Sequence, residues 1–146
     1  NFQKLRDNKN NYRAGLGGEF GKFDVEFFKD LSSNFGIKRV ITLNGDRKIE
    51  KAARAAGLET AYYALTDSKL ANMSRQEFDR IKALISSGNN LIHCTHGADR
   101  TGAIIGRYYI EDLGYTVPDA RTDTKKYGGQ KYPGANKFLI GGPTTV

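Results

Sequence analysis

Apolar positions along this 146-residue chain fall into short blocks whose spacing switches between helical and extended. The opening 23 residues are polar and rich in glycine (Gly15, Gly17, Gly18, Gly21), which predicts a loop holding one short strand near Tyr12-Arg13-Ala14. Asp24 can then cap a helix in which Val25, Phe28 and Leu31 recur at helical spacing, with Gly36 just beyond its end. Ile37 to Leu43 is short and β-branched, as a buried strand would be, and Asn44-Gly45-Asp46 supplies turn residues. A second helix is expected over about Ile49 to Ala56, stopping at Gly57, followed by a strand over Glu59 to Leu65 and a loop at Thr66-Asp67-Ser68. Ser74 and Glu77 form a capping box before a helix whose stripe is Phe78, Ile81 and Leu84, ending at Gly88. Asn89 to His93 reads as strand, about Arg100 to Leu113 as a helix apolar on much of its surface, and Pro118 to about Tyr127 as one more helix. Beyond Gly128-Gly129, Pro133, Pro143 and three further glycines predict irregular structure that is poorly ordered at its extreme end.

Alternation of strand and helix predicts an α/β domain spanning 1–146: a central, mostly parallel sheet of four to five strands with helices on both faces, joined by right-handed crossovers. In such sheets ligands bind beyond the carboxyl ends of the strands. The loops carrying Asp67 and Cys94 both emerge there if their strands are parallel.

Charge and cysteine usage narrow the setting. Cys94 is the single cysteine, so no internal disulfide can form, and a reducing, cytoplasmic setting is expected. No apolar run approaches the ~20 residues needed to span a bilayer, and the residues from Asn1 to Arg6 contain no signal-peptide core. The net charge of +7 favours anionic partners. From Ala120 onward Arg121, Lys125, Lys126, Lys131 and Lys137 stand against Asp123 alone, so four of the seven net charges lie in the tail. A solvated basic face is the plain reading of that excess; binding of RNA or an inositol-lipid headgroup is the sharper one.

The chemistry concentrates in His93-Cys94-Thr95-His96-Gly97-Ala98-Asp99-Arg100-Thr101-Gly102, between an apolar strand and an apolar helix. Five residues separate Cys94 from Arg100, which lets the backbone curl so that its N–H groups converge on one point beside the positive end of the helix. That point suits a phosphate dianion, and residues 95 to 100 (Thr95, His96, Gly97, Ala98, Asp99, Arg100) would bind it. Arg100 supplies a planar fork for two phosphate oxygens. Cys94 would face the phosphorus, in surroundings that favour the anionic, attacking sulfur.

The run H-C-x-x-G-x-x-R-T-G, carried by His93, Cys94, Gly97, Arg100, Thr101 and Gly102, resembles the signature of the cysteine-based protein tyrosine and dual-specificity phosphatase superfamily. The segment from Asn1 to Gly15 is similar to the entry strand of its small dual-specificity-like members. The resemblance implies a phosphate-monoester hydrolase that works through a phosphocysteine on Cys94 and needs neither metal nor cofactor. It also implies that Thr101 assists the thiolate and that His93 orders the loop by hydrogen bonds. Thr95-His96-Gly97 is similar to the loop of capping-enzyme RNA 5′-triphosphatases. The absence of Trp sets the chain apart from the large tyrosine phosphatases with their Trp-Pro-Asp loop, and Ala98 stands where inositol-lipid phosphatases often carry Lys.

A proton must reach the leaving oxygen, and two carboxylates compete for that role. Asp67 lies 27 residues before Cys94, across one crossover, in the position that small dual-specificity phosphatases use for their acid. Asp99 sits inside the cradle, where myotubularin-like enzymes carry an Asp assigned that work. Asp67 is the preferred candidate. Phosphoproteins are the leading substrate class, RNA 5′-triphosphates the second and inositol lipids the third. A phospho-ligand binding module without turnover is the competing non-enzymatic reading. A metal site on His93, Cys94 and His96 is disfavoured because neighbours on a strand point to opposite faces.

Overall fold

The computed structural model describes residues 2–17 and 23–144; of the glycines expected to form loop, Gly18 and Gly21 lie outside the described residues. In chain order the elements are β1 (Gln3–Lys4), β2 (Tyr12–Gly15), α1 (Val25–Phe35), β3 (Arg39–Thr42), α2 (Arg47–Ala55) and β4 (Glu59–Tyr62). They continue with α3 (Asp67–Ala71), α4 (Arg75–Ser87), β5 (Asn90–Cys94), α5 (Asp99–Asp112), α6 (Val117–Lys125) and α7 (Pro133–Gly141).

Helix ends follow the expected local chemistry. Asp24 accepts a hydrogen bond from the Phe27 N–H at 3.0 Å, and Ser74 Oγ one from the Glu77 N–H at 3.1 Å. Each such cap is worth about 1 kcal/mol to its helix. In α4 the buried stripe is Phe78, Ile81 and Ile85; Leu84, expected in that stripe, is partly buried at its margin.

The strands lie in the order β1-β2-β5-β3-β4, with β1 antiparallel to β2 and all other pairs parallel. Alternation along β3 and β5 divides the core. Val40 and Leu91 join Phe28, Leu31, Ile49 and Ala53 of α1 and α2 on one face. Ile41, Ile92 and Cys94 join Leu70, Phe78, Ile81, Ile104, Ile105 and Phe138, from α3, α4, α5 and α7, on the other. The strand β5 is thus central and fully buried, and its carboxyl end opens between the ends of β2 and β3.

Two expectations need correction. β1 was concealed in polar sequence, and its two residues are exposed at the sheet edge. The tail is not irregular, because α7 occupies nine residues of it. Pro133 sits at the helix's first turn, where its missing N–H costs nothing, and Ala135, Phe138 and Leu139 bury one face. Phe138 meets Phe78 edge to face at 5.0 Å and is fully buried, an apolar contribution of roughly 2–3 kcal/mol. Proline and glycine disguised a short amphipathic pattern that tertiary contacts stabilise.

Candidate active site

The site begins where β5 ends. The Leu43 N–H donates to the His93 carbonyl at 2.9 Å and the Leu16 N–H to the Cys94 carbonyl at 2.9 Å, so extensions of β3 and β2 hold the strand to its last residue. The chain then turns through Gly97 at φ +68°, and a Cβ there would stand 2.6 Å from the Gly15 nitrogen. Only glycine lets the loop lie against the end of β2 in this left-handed conformation. The helix α5 starts at Asp99, and its N-cap residue, Ala98, offers no side-chain acceptor. The N–H groups of its first turn are therefore left for an anion, with the helix dipole behind them.

A cavity of about 250 Å³ opens over this turn. Its lining includes Cys94, Thr95, His96, Asp99, Arg100 and Asp67, six of the residues marked out by sequence, together with Tyr132 and Ala135. Arg100 reaches back across the loop: its Nη2 donates to Thr95 Oγ1 at 3.2 Å and its Nη1 to the Leu65 carbonyl at 3.2 Å. Asn44 Nδ2 also donates to Thr95 Oγ1, at 3.1 Å, so Thr95 ties the β3–α2 connection to the cradle. Gly97 and Ala98 are buried beneath the cavity, placed to contribute backbone instead of side chains.

Both carboxylates reach the site, and both hold the same segment of tail. Asp67 is the first residue of α3, not part of a loop, and Thr66 caps that helix. Its Oδ2 accepts from the Gly134 N–H at 2.7 Å and its Oδ1 from the Ala135 N–H at 2.8 Å, so Asp67 caps α7 from 67 residues away in sequence. Asp99 Oδ1 accepts from the Lys131 N–H at 2.9 Å. Tyr132, 56 % exposed, is carried between these tethers at the cavity mouth.

His93 immediately precedes Cys94 in β5. Its ring is fully buried and Nε2 is hydrogen-bonded to Thr42 Oγ1 at 2.8 Å, on the β3 side, while Nδ1 has no partner. Burial pulls its pKa down to about 4, against weaker opposing effects from the Cys94 backbone and Asp46, so the imidazole is neutral at pH 7. His93 and Cys94 face opposite sides of the sheet, and among the described residues no group of three His, Cys, Asp or Glu side chains could hold a metal ion. Thr101 is buried in the first turn of α5 with its hydroxyl unpartnered. The tail's cations Arg121, Lys125, Lys126, Lys131 and Lys137 are exposed, whereas Asp123 is buried within 3.9 Å of Arg6 and Arg13. The surface charge of the tail is accordingly more positive than its composition.

Tyr132 and Ala135 were missed by the sequence reading because they belong to α7 and its approach. The available signal was the i, i+3, i+4 spacing of Ala135, Phe138 and Leu139 behind a proline suited to a helix start.

No family model and no curated protein sequence matches this chain. Solved structures do. TpbA of P. aeruginosa in complex with phosphotyrosine superposes with a TM-score of 0.65 at 17% identity, covering 96% of this chain and 88% of that one. A putative phosphatase (DUF442) from Shewanella putrefaciens gives 0.68 at 17% identity, over 94% and 85% of the two chains. The core catalytic domain of the PP-IP phosphatase SIW14 from S. cerevisiae, in complex with citrate, gives 0.61 at 17% identity, over 89% and 78%. Chain order, sheet and strand-loop-helix cradle are those of the cysteine-based protein tyrosine and dual-specificity phosphatase fold. The loop read from His93 to Gly102 sits in that fold between β5 and α5, the strand-loop-helix placement expected from sequence.

Proposed function

We propose that this chain is a cysteine-dependent phosphatase for phosphate monoesters, with Cys94 as nucleophile. The observation that carries the reading is a single cavity at the carboxyl end of β5 joining Cys94, Arg100 and a candidate acid. Arg100 and the N–H groups at the start of α5 hold the phosphate oxygens. Cys94 Sγ attacks phosphorus, the phosphorus–oxygen ester bond breaks, and the leaving oxygen takes a proton from Asp67. Water then attacks the phosphocysteine, the same carboxylate takes its proton, and the phosphorus–sulfur bond breaks to release phosphate. Thr101 lies one residue beyond Arg100, buried in the first turn, and its unpartnered hydroxyl is available to the departing thiolate.

Phosphoproteins are the first substrate class, supported by the similarity to TpbA, whose structure holds phosphotyrosine. The similarity to a PP-IP phosphatase and the exposed basic tail favour a second reading, a more highly charged phosphate substrate. RNA 5′-triphosphates and inositol lipids fall within that reading.

The test is hydrolysis of a small aryl phosphate in the presence of chelator by the native chain and by Cys94→Ser. Activity that survives the chelator and disappears in the variant is expected. Equal activity in both proteins refutes the nucleophile. A native chain that binds orthovanadate without turning over any phosphopeptide, triphosphate RNA or aryl phosphate is a binding module. Faster turnover of triphosphate RNA than of phosphopeptides reverses the order of substrates.

A further inference from the structure

The largest fully buried side chain of the described residues is an arginine, and the mechanism above makes no use of it. Arg13 extends from β2 into the α6 side of the sheet, 2 % exposed, directly behind the phosphate cradle. Its Nη2 donates to the Gly97 carbonyl at 2.9 Å, across 84 residues of sequence. Its Nη1 lies 3.9 Å from Asp123 Oδ2, and its guanidinium stands over the Tyr127 ring, 3.9 Å from the centroid. Nε is buried without a partner. A charged group is expensive to bury, and a lone contact with Asp123 at 3.9 Å is a weak return for it.

We propose that Arg13 is a positioning residue of the cradle, which orients the Gly97–Ala98 peptide toward the phosphate. The argument is one of peptide geometry. In a planar trans peptide the carbonyl of one residue and the N–H of the next point in opposite directions. With the Gly97 carbonyl pinned behind the loop by Arg13, the Ala98 N–H must face forward, into the cradle. The left-handed turn at Gly97 lets that peptide rotate, so a fixed donor is needed to hold it. The fork also spans two elements: one Nη meets the loop and the other meets α6, which holds Asp123. A buried cation behind the loop adds positive potential for an arriving anion, since low dielectric strengthens such fields. Burial lowers the Arg13 guanidinium from its ordinary value, while Tyr127, Asp123, Tyr109 and Cys94 act in the opposite direction.

The inference rests on the phosphatase reading, and the experiment separates the two. Native chain, Arg13→Met and Arg13→Lys are compared for orthovanadate inhibition and for KM and kcat on an aryl phosphate, each scaled to the Cys94 alkylated by iodoacetamide in the folded protein. Vanadate adopts the five-coordinate geometry of the transition state, where an oriented N–H matters most. Arg13→Met is expected to lose about 100-fold in kcat and a parallel factor in vanadate affinity, with KM changed less than threefold, the scale for removing one oriented donor. Arg13→Lys is expected to fall between Met and Arg, because an ammonium can reach Gly97 or Asp123 but has no planar fork to serve both. Reduced folded protein with unaltered kcat and vanadate affinity per reactive Cys94 would make Arg13 purely structural and overturn the proposal. If Arg13→Met does not fold, Arg13→Lys decides: native vanadate affinity overturns it, and a loss of at least threefold supports it. A native chain that neither hydrolyses the ester nor binds vanadate refutes the phosphatase reading itself.

Discussion

Acid should loosen this fold in a pH window set by His93. The ring is fully buried between β5 and β3, with Nε2 engaged by Thr42 and Nδ1 unpartnered, and its pKa falls from 6.5 in the unfolded chain to about 4 in the folded one. Between those values the unfolded state binds the extra proton. Stability that is fully present above about pH 6.5 is therefore lost as pH falls toward 4. A shift from 6.5 to about 4 corresponds to roughly 3 kcal/mol in total, of which about 2 kcal/mol is lost between pH 7 and pH 5. Glu111 also has a depressed pKa, about 2 against an ordinary 4.5, set by hydrogen bonds from Arg75, Lys82 and Arg107 that outweigh its burial. Its window opens below pH 4.5 and leaves the interval from 7 to 5 to His93. The assay is urea unfolding of native chain and His93→Gln at pH 7 and pH 5. Glutamine reaches Thr42 as Nε2 does but does not titrate. The variant should lose less than about 0.5 kcal/mol over that interval, whatever its stability at pH 7. A variant that keeps the native pH dependence, or a native chain with none, would refute the assignment.

Other outcomes follow from the contacts of α7 and the ion-pair cluster. Asp67→Asn should cost about 1 kcal/mol through the weakened cap of α7, read by thermal unfolding. If Asp67 is the acid, the same variant should also lose about 100-fold in turnover of an alkyl phosphate and far less on a nitrophenyl ester; Asp99→Asn should lose neither selectively. Gly134→Ala places a Cβ 2.6 Å from Asp67 Oδ2 and still nearer its carbonyl oxygen, so the helix start must move; a loss of about 1–3 kcal/mol by urea unfolding is expected. Glu111→Gln should reduce the further stability loss below about pH 4.5 while leaving the loss between pH 7 and pH 5 intact, measured by unfolding from pH 7 to pH 3.

What could be read from sequence was whatever depends on short-range spacing. Cys94, Arg100 and the glycine between them define the cradle because a loop of fixed length must close on itself, and strand and helix flank it in the chain. Caps such as Asp24 and Ser74 are equally local. What was hidden depends on partners far away. Arg13 belongs to a short strand legible in the sequence, but its burial follows from Gly97, Asp123 and Tyr127, more than 80 residues downstream. The setting of His93 is hidden for the same reason: which way its ring turns is decided by Thr42 across the sheet. α7 was obscured because its first-turn N–H groups are satisfied by Asp67 instead of by a residue preceding it.

The double duty of Asp67 governs how the acid must be sought. A carboxylate that caps α7 with both oxygens is also the one closest in sequence logic to the proton donor, so simple loss of activity on removing it proves nothing about proton transfer. Misplacing α7 alone would carry Tyr132 and Ala135 away from the cavity and depress every substrate alike. Proton donation has a different signature, because its value rises with the basicity of the leaving oxygen. An equal loss on alkyl and nitrophenyl esters therefore assigns Asp67 to the scaffold, and a loss that grows with leaving-group basicity assigns it to the chemistry. Gly134→Ala supplies the control, since it disturbs the same helix start while leaving the carboxylate in the chain.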